Sequence, residues 1–499
     1  MTDRIIQTET LQGIADAIRA KKGTSEPIAV TAFASEIGNI ESGGGLAING
    51  IIEQYKVNAG ATVNAGDFVE FVNKWGSGEF YEGTVSRLSA CKLDNSRVFI
   101  AYKAYDGSNY RLCVRVCSIA DASITFGSEL AIYSDSNGGL FNAISAVALS
   151  DSKVFIAYKI VESSSYYTYA TVCTITGITI ASVGLRARIS GKATNSYSFN
   201  AISAVALSDS KVFIAYKQDE SSGHYLYGVD CTIDGTAITV GTTATISSRS
   251  GSGSYNQTFN AISAVALSDS KVFVAYKYMY DASNGRLYSR VCTINETAIT
   301  VGIETTISNN GGLYNAVSAV ALNDSKVFAA YPYYDGTNYY LYGVVCTIDG
   351  TTITKGTETT ISSDSMGGAV SAVALNDSKV FAVHRYNDGT NYYLYGVVCT
   401  IDGTTITKGT ETTMYSSISS SAFQYVHAMT FSETSVLVLA GGAESIYVGA
   451  TVDGTTITVQ EAPETDGTFV QPAHSRLHNV GVAATSGAEG ETVDVYVVG

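Results

Sequence analysis

One phrase recurs along this chain and limits what it can fold into. Copies of "AVSAVALNDSKVFAVH" align on a Val-Phe pair at Val98, Val154, Val212, Val272, Val327 and Val380, with a degenerate seventh at Val436 in "TSVLVLA". The anchors lie 53 to 60 residues apart. Self-similarity at such a period marks an architecture in which one supersecondary unit packs against copies of itself. In the fifth copy "NAVSAVAL" reads as a strand, "NDS" as a turn and "KVFAAYPYY" as a second strand. "DGTN" carries hairpin chemistry, "YYLYGVVCTI" is a third strand, "DGT" another turn and "TITKGTETTIS" a fourth strand. Small apolar residues dominate the first strand (Ala316, Val317, Ala319, Val320, Ala321), as crowding at a central axis demands. The Thr-rich fourth strand suits a wet outer edge. Four antiparallel strands make one blade, and seven blades make a propeller. An open β-solenoid would use shorter coils and capped ends.

Composition agrees. The 499 residues include 48 Gly, 34 Tyr and only 4 Pro, with 15% charged residues, a profile of strands joined by tight turns. A formal charge of -15 would repel a phosphate backbone, and no basic run offsets it, which argues against a nucleic-acid partner. No apolar run is long enough to span a bilayer, and the opening "MTDRIIQTETLQG" lacks an export signal, so no membrane insertion is expected and synthesis in a cytoplasm is. Cys117, Cys173, Cys231, Cys292, Cys346 and Cys399 fall at one place in successive "VCTI"-like copies. Equivalent places in neighbouring units are too far apart to bridge, and Cys113 shares a strand with Cys117, so buried free thiols are expected.

Connectivity puts the turns joining strands one to two and three to four on one face, and those joining two to three and blade to blade on the other. The first set barely changes: "LDNSR", "LSDSK", "LNDSK", "FSETS", then "IDGT", "INET" or "VDGT". The second set varies from "SSDSMGGA" to "SSRSGSGSYNQTFNA", beside "AYDGSNY", "QDESSGHY" and "YYDGTNYY". Loops on a rigid scaffold, rich in Tyr, Ser, Asn and Gly, are a recognition surface, and Tyr rings stack on sugars. The candidate ligand-binding residues are Tyr105, Asp106, Asn109 and Tyr110, then Tyr334, Asp335, Asn338 and Tyr339, then Tyr386, Asp388, Asn391 and Tyr392. The plainer reading is that Tyr forms strands, that Asp-Gly and Asn form turns, and that these loop lengths drift unconstrained.

Catalytic signals are thin. The repeated inner strands offer Ala, Val, Ser and Leu, with no paired carboxylates, no Gly-x-Ser-x-Gly elbow and no phosphate-cradling loop. The five histidines are scattered, and only His474 and His478 share a neighbourhood. Without a third ligand at matching spacing they predict no metal site. "DGTNYY" is too short for a calcium loop. No cofactor and no enzyme activity are expected.

The ends depart from the repeat. Leu11, Ile14, Ala15 and Ile18 form one helical stripe ending at Gly23, and a second short helix follows Thr31. "ESGGG" then reads as a joint. "YKVNAGATVNAGDFVEFV" at 55–72 and "HNVGVAATSGAEGETVDVYVVG" at 478–499 alternate like strands. A closed ring brings its ends together, so these halves could complete one small β domain. The expected fold class is therefore all-β: a seven-bladed propeller of four-stranded blades, plus a small β domain and a short helical N-terminal module. Its parts are a helical module and linker at 1–45, the small domain at 46–80 and 463–499, and the propeller at 81–462.

The run "IADAIRAKKGTSEPIAVTAFASEIGNI" resembles a module of tail-fibre and minor tail proteins from phages of Firmicutes, and "SKVFIAYK" with "VCTIDGTTIT-KGTETT" is similar to repeats in tail-fibre proteins. "AGDFVEF" and "GVA...AGETVxVYV" also look like paired segments of phage structural proteins, the last of which reads "AEGETVDVYV" in this chain. The resemblance implies a virion structural protein assembled in a host cytoplasm. Residues 1–45 and the small domain would contact other tail or capsid proteins, and the variable face would hold a host surface glycan. Weak sites repeated on one particle would gain about 10² to 10⁴ in avidity, favouring a homo-oligomer, and a trimer by analogy to fibres. The alternatives are a head-decoration or baseplate piece without a ligand, a glycan-cleaving propeller and a host lectin.

Overall fold

A computed structural model describes residues 77–459, apart from hairpin tips and connectors at 82–83, 106–107, 121–122, 136–142, 163–164, 192–201, 221–222, 250–257, 281–284, 297, 310–315, 335–336, 364–367 and 420. It also describes the backbone of short strands within 52–72 and 469–497. The expected helices of 1–45, the His474 and His478 pair, Asp106, Asp335 and most blade-to-blade connectors lie outside the described residues.

Seven antiparallel sheets follow one another along the chain, each running from first to fourth strand in order. The protein is an all-β, seven-bladed propeller of four-stranded blades. Blade 1 comprises Val85–Lys92, Arg97–Tyr105, Tyr110–Ala120 and a fourth strand in two pieces, Ser123–Phe126 and Leu130–Asp135. Blades 2 to 6 begin at Ile144, Ile202, Thr258, Ser318 and Val370, and blade 7 at Tyr425. The repeated Phe of the second strand explains the stacking. Phe99, Phe155, Phe213, Phe273, Phe328 and Phe381 are fully buried, each worth about 2 to 3 kcal/mol. Most core clusters span two blades, as where Phe155 and Ala157 of blade 2 meet Val212, Ile214 and Tyr216 of blade 3.

Serine of the first strand ties each blade to the next. The amide of Ala146 donates to Ser89 Oγ at 2.9 Å, that of Ala204 to Ser145 at 2.9 Å and that of Ala264 to Ser203 at 3.0 Å. Ala319 to Ser263, Ala372 to Ser318 and Ala428 to Ser371 repeat the bond. In blade 7 the equivalent residue is His427. Burial pushes its imidazole down to about 4, so it sits neutral at the seam between last and first blades.

The unvarying face has a geometric cause. In every blade an amide at the end of the third strand donates to the carbonyl of the one-to-two turn: Ile119 to Ser96, Ile175 to Ser152, Ile233 to Ser210, Ile294 to Ser270, Ile348 to Ser325, Ile401 to Ser378 and Val452 to Thr434. The three-to-four turns place Gly177, Gly235, Gly350, Gly403 and Gly454 at φ of 58° to 61°, the Gly-first hairpin that needs no Cβ.

The seventh copy is a full blade. Its fourth strand, Thr456–Val459, covers half the third strand, and Ser77–Glu79 supplies the other half by pairing antiparallel with Ile446–Val448. The expected boundary at 81 assigned that strand to the small domain, but hydrogen bonding puts it in the ring, and the compact unit holding the propeller spans 76–119 and 124–461. Closure of this kind cannot be read from a repeat, because the strand that supplies it lies outside every copy.

A second compact unit draws on both ends of the chain. Ile52–Val57 pairs with Thr492–Val497 and Phe469–Pro472, Phe68–Val72 with Phe469–Pro472 and Val480–Ala483, and Val480–Ala483 with Thr492–Val497, closing a five-stranded barrel.

The cysteines are free, and six of the seven thiols buried in the core, Cys117, Cys173, Cys231, Cys292, Cys346 and Cys399, are pushed up to about 12 by burial. Among the described residues no helix is long and apolar enough to cross a membrane, and no group of His, Cys, Asp or Glu could hold a metal ion.

Candidate functional site between blades 3 and 4

Each second strand ends at the varying face, so its last residues present whatever that face offers. Two places after the lysine of "AYK", or its equivalent, blades 1 to 6 carry Tyr105, Val161, Asp219, Met279, Tyr334 and Asn387. Only blade 3 puts an acid there. The hairpin pairs Asp219 directly opposite His224, and residues opposite each other in a ladder project from the same side. Asp219 Oδ1 lies 2.7 Å from His224 Nδ1, and its Oδ2 lies 2.9 Å from Lys217 Nζ. All three are buried, at 1%, 5% and 2% exposure. Burial opposes a charged Asp219, but the hydrogen bond from His224 and the Lys217 ammonium outweigh it and hold the carboxyl below its usual range. An ionised Asp219 accepts, so Nδ1 of His224 carries a proton and donates to it. That Nε2 is buried without a hydrogen-bond partner among the described residues, which is costly for a group the fold did not need.

The neighbouring side chains extend this cluster. His224 pairs across the sheet with Arg249, whose guanidinium stands 5.5 Å from the Tyr278 ring and 5.1 Å from the Tyr288 ring of blade 4. Arg249 also binds Glu304 at 2.7 Å. Burial opposes a charged Glu304, but Tyr276, Arg249 and Ser247 together keep its carboxyl low. The Tyr278 hydroxyl is raised by burial, with Asp219 adding to the effect. The interface thus joins an imidazole base, its orienting carboxylate, two cations, a second carboxylate and several phenols. Sequence reasoning passed over it because "QDESSGHY" reads as an ordinary variable hairpin. The usable signal was the departure of Asp219 from the pattern of its sister strands, with His224 across a two-residue tip.

The residues expected from sequence are placed differently. Tyr105 and Tyr110 oppose each other with centroids 4.6 Å apart, and Tyr334 and Tyr339 stack at 4.4 Å. In blade 6 the equivalent pair is Asn387 and Tyr392. Tyr386 is one position early: it stacks on Tyr393 at 5.9 Å and Tyr395 at 5.2 Å, while Tyr392 lies under Arg385 at 4.5 Å. Asp388 is spent on its own turn. Its Oδ1 accepts from the amides of Thr390 and Asn391, its Oδ2 from the Tyr393 hydroxyl, and the Asn391 amide leads in holding this exposed carboxyl low. Asn338 and Asn391 approach the Tyr340 and Tyr393 hydroxyls at 3.5 and 3.4 Å.

No protein family and no curated protein matches the chain. Among solved structures it is similar to a polysaccharide lyase, the PL25 ulvan lyase, at 9% identity over 80% of this chain and 97% of that one, with a TM-score of 0.44. It is similar to the NanB sialidase from Streptococcus pneumoniae at 11% identity, 77% and 71% coverage and a TM-score of 0.42. A Hadza microbial sialidase follows at 8% identity, 82% and 97% coverage and a TM-score of 0.38. At such values the likeness concerns the propeller alone. The expectations of a tail-fibre adhesin and of a chain without enzyme activity rested on finding no cluster of ionisable groups, and they are corrected by the structure, which brings Lys217, Asp219 and His224 together.

Proposed function

We propose that this protein is a glycan-cleaving propeller whose varying face carries the active site. The small β domain of 46–75 and 462–499 and the helical module of 1–45 belong to the same reading as accessory parts. The observation that supports it is the Nε2 of His224, buried without a partner among the described residues, on a ring oriented from behind by Asp219, whose carboxyl the His224 hydrogen bond and then Lys217 hold low. An imidazole oriented by a carboxylate at Nδ1 is suited to exchange a proton at Nε2, taking it from a sugar carbon or from an attacking water and returning it to the leaving oxygen. The Tyr105–Tyr110, Tyr334–Tyr339 and Tyr386–Tyr393 pairs serve as platforms for sugar rings. The test is to incubate the full chain with a panel of neutral and uronate-containing polysaccharides and to follow chain shortening by mass spectrometry. Cleavage that falls by at least about 10²-fold in His224→Ala, with its melting temperature kept, is expected. Equal cleavage by that variant, or none by the parent on any polymer, contradicts the reading.

A further inference from the structure

Four second strands carry a lysine at one place: Lys103, Lys159, Lys217 and Lys277, all buried, at 7%, 4%, 2% and 3% exposure. The fold does not require a cation there, since blades 5 and 7 use Pro332 and Gly441, while blade 6 keeps one in Arg385. Removing an ammonium from water costs several kcal/mol, so a place that accepts proline and glycine does not keep lysine for packing. Lys217 is compensated by Asp219. Lys159 only donates to the Lys217 carbonyl at 2.7 Å, and Lys103 stands 4.4 Å from the Tyr110 ring centroid. Neither has a carboxylate partner among the described residues. Burial leads in pushing Lys103 down to about 8, with Arg87 adding to it. Burial likewise pushes Lys159 down to about 7, helped by Lys217 and opposed by Asp219. A second polar atom at the junction of blades 2 and 3 is also unanswered. Gln218, 8% exposed, has its Nε2 3.5 Å from where a Cβ on Gly191 would stand, and its Oε1 is buried without a partner.

We infer that blades 1 to 3 form an anion-recognising sector of the varying face, in which Lys103 and Lys159 receive the carboxylate or sulfate groups of an acidic glycan while Gln218 Oε1 accepts from a sugar hydroxyl. The inference rests on the glycan reading above and names its substrate class. It explains why a chain of net charge -15 keeps buried lysines that form no salt bridge among the described residues at the ends of strands that lead into the loops.

Calorimetric titration of the full chain with polygalacturonate, dextran sulfate and neutral dextran tests it. The acidic polymers are expected to bind, more weakly as salt rises, and neutral dextran is not. The better of the two acidic polymers tells carboxylate from sulfate. Lys103→Met and Lys159→Met should each lose about tenfold in affinity. Lys159→Met should melt no lower than the parent, since it removes a buried charge, so unfolding does not mimic the loss. Lys159→Arg should retain binding. Equal affinity for neutral dextran, or methionine variants that bind like the parent, overturns the proposal. Tight binding of acidic polymer without turnover upholds the sector and removes the cleavage reading; turnover of neutral polymer with no acid preference does the reverse.

Discussion

Two histidines carry opposite meanings. His427 replaces a serine of the interblade ring and is held near a pKa of about 4, below the ordinary 6.5. Because the folded value is depressed, the unfolded chain binds more protons between these two values. The fold is therefore at full strength above about 6.5 and weakens as pH falls toward about 4. His427→Ser restores the ring residue and removes the titration. Its melting temperature is expected to exceed that of the parent at about pH 5 by several degrees and to differ much less at about pH 7.5, as followed by scanning calorimetry. His224 answers to a different logic, since an orienting carboxylate and an unpartnered nitrogen make it chemically available. Both histidines were visible as letters, but neither role was, because each depends on a residue the sequence does not mark as its neighbour: the ring serines for His427, the opposing strand for His224.

At the scale of elements much more was legible. The period-two strands, the Asp-Gly turns and the two classes of connector follow from residue pattern, and the monotony of one face proved to be hydrogen bonding and contact between blades. The break in the fourth strand was not foreseen. Its glycines pack against the next blade's turn: a Cβ on Gly127 would stand 2.0 Å from the Ile178 carbonyl oxygen, and one on Gly409 2.8 Å from the Thr455 Cβ. Gly127→Ala is expected to cost about 3 kcal/mol in chemical denaturation because its obstacle is backbone that cannot rotate away. Ser203→Ala deletes one interblade hydrogen bond and should cost about 1 kcal/mol. Tyr386 lies one residue before the place that Tyr105 and Tyr334 hold in their hairpins, an offset that a run of tyrosines on both strands hides from counting.

For the whole molecule, the ring is closed by a strand that precedes the first blade. Ser77–Glu79 completes blade 7, and the Phe80 amide continues the seam by donating to the Ser445 carbonyl at 2.9 Å. A chain cut to 76–461 should therefore melt well above one cut to 81–461, which leaves half of a third strand unpaired; equal melting temperatures would place the closure elsewhere. The seven-fold repeat made this architecture readable, whereas the candidate site had to be found where the repeat is broken. Chemical rescue addresses that site most directly. His224→Gly leaves a cavity the size of an imidazole facing Asp219, so on a polysaccharide that the parent cleaves, added free imidazole should restore turnover in a saturable way. Turnover by His224→Gly at the parent's rate, or a dead variant that imidazole at any concentration fails to revive, would contradict the account.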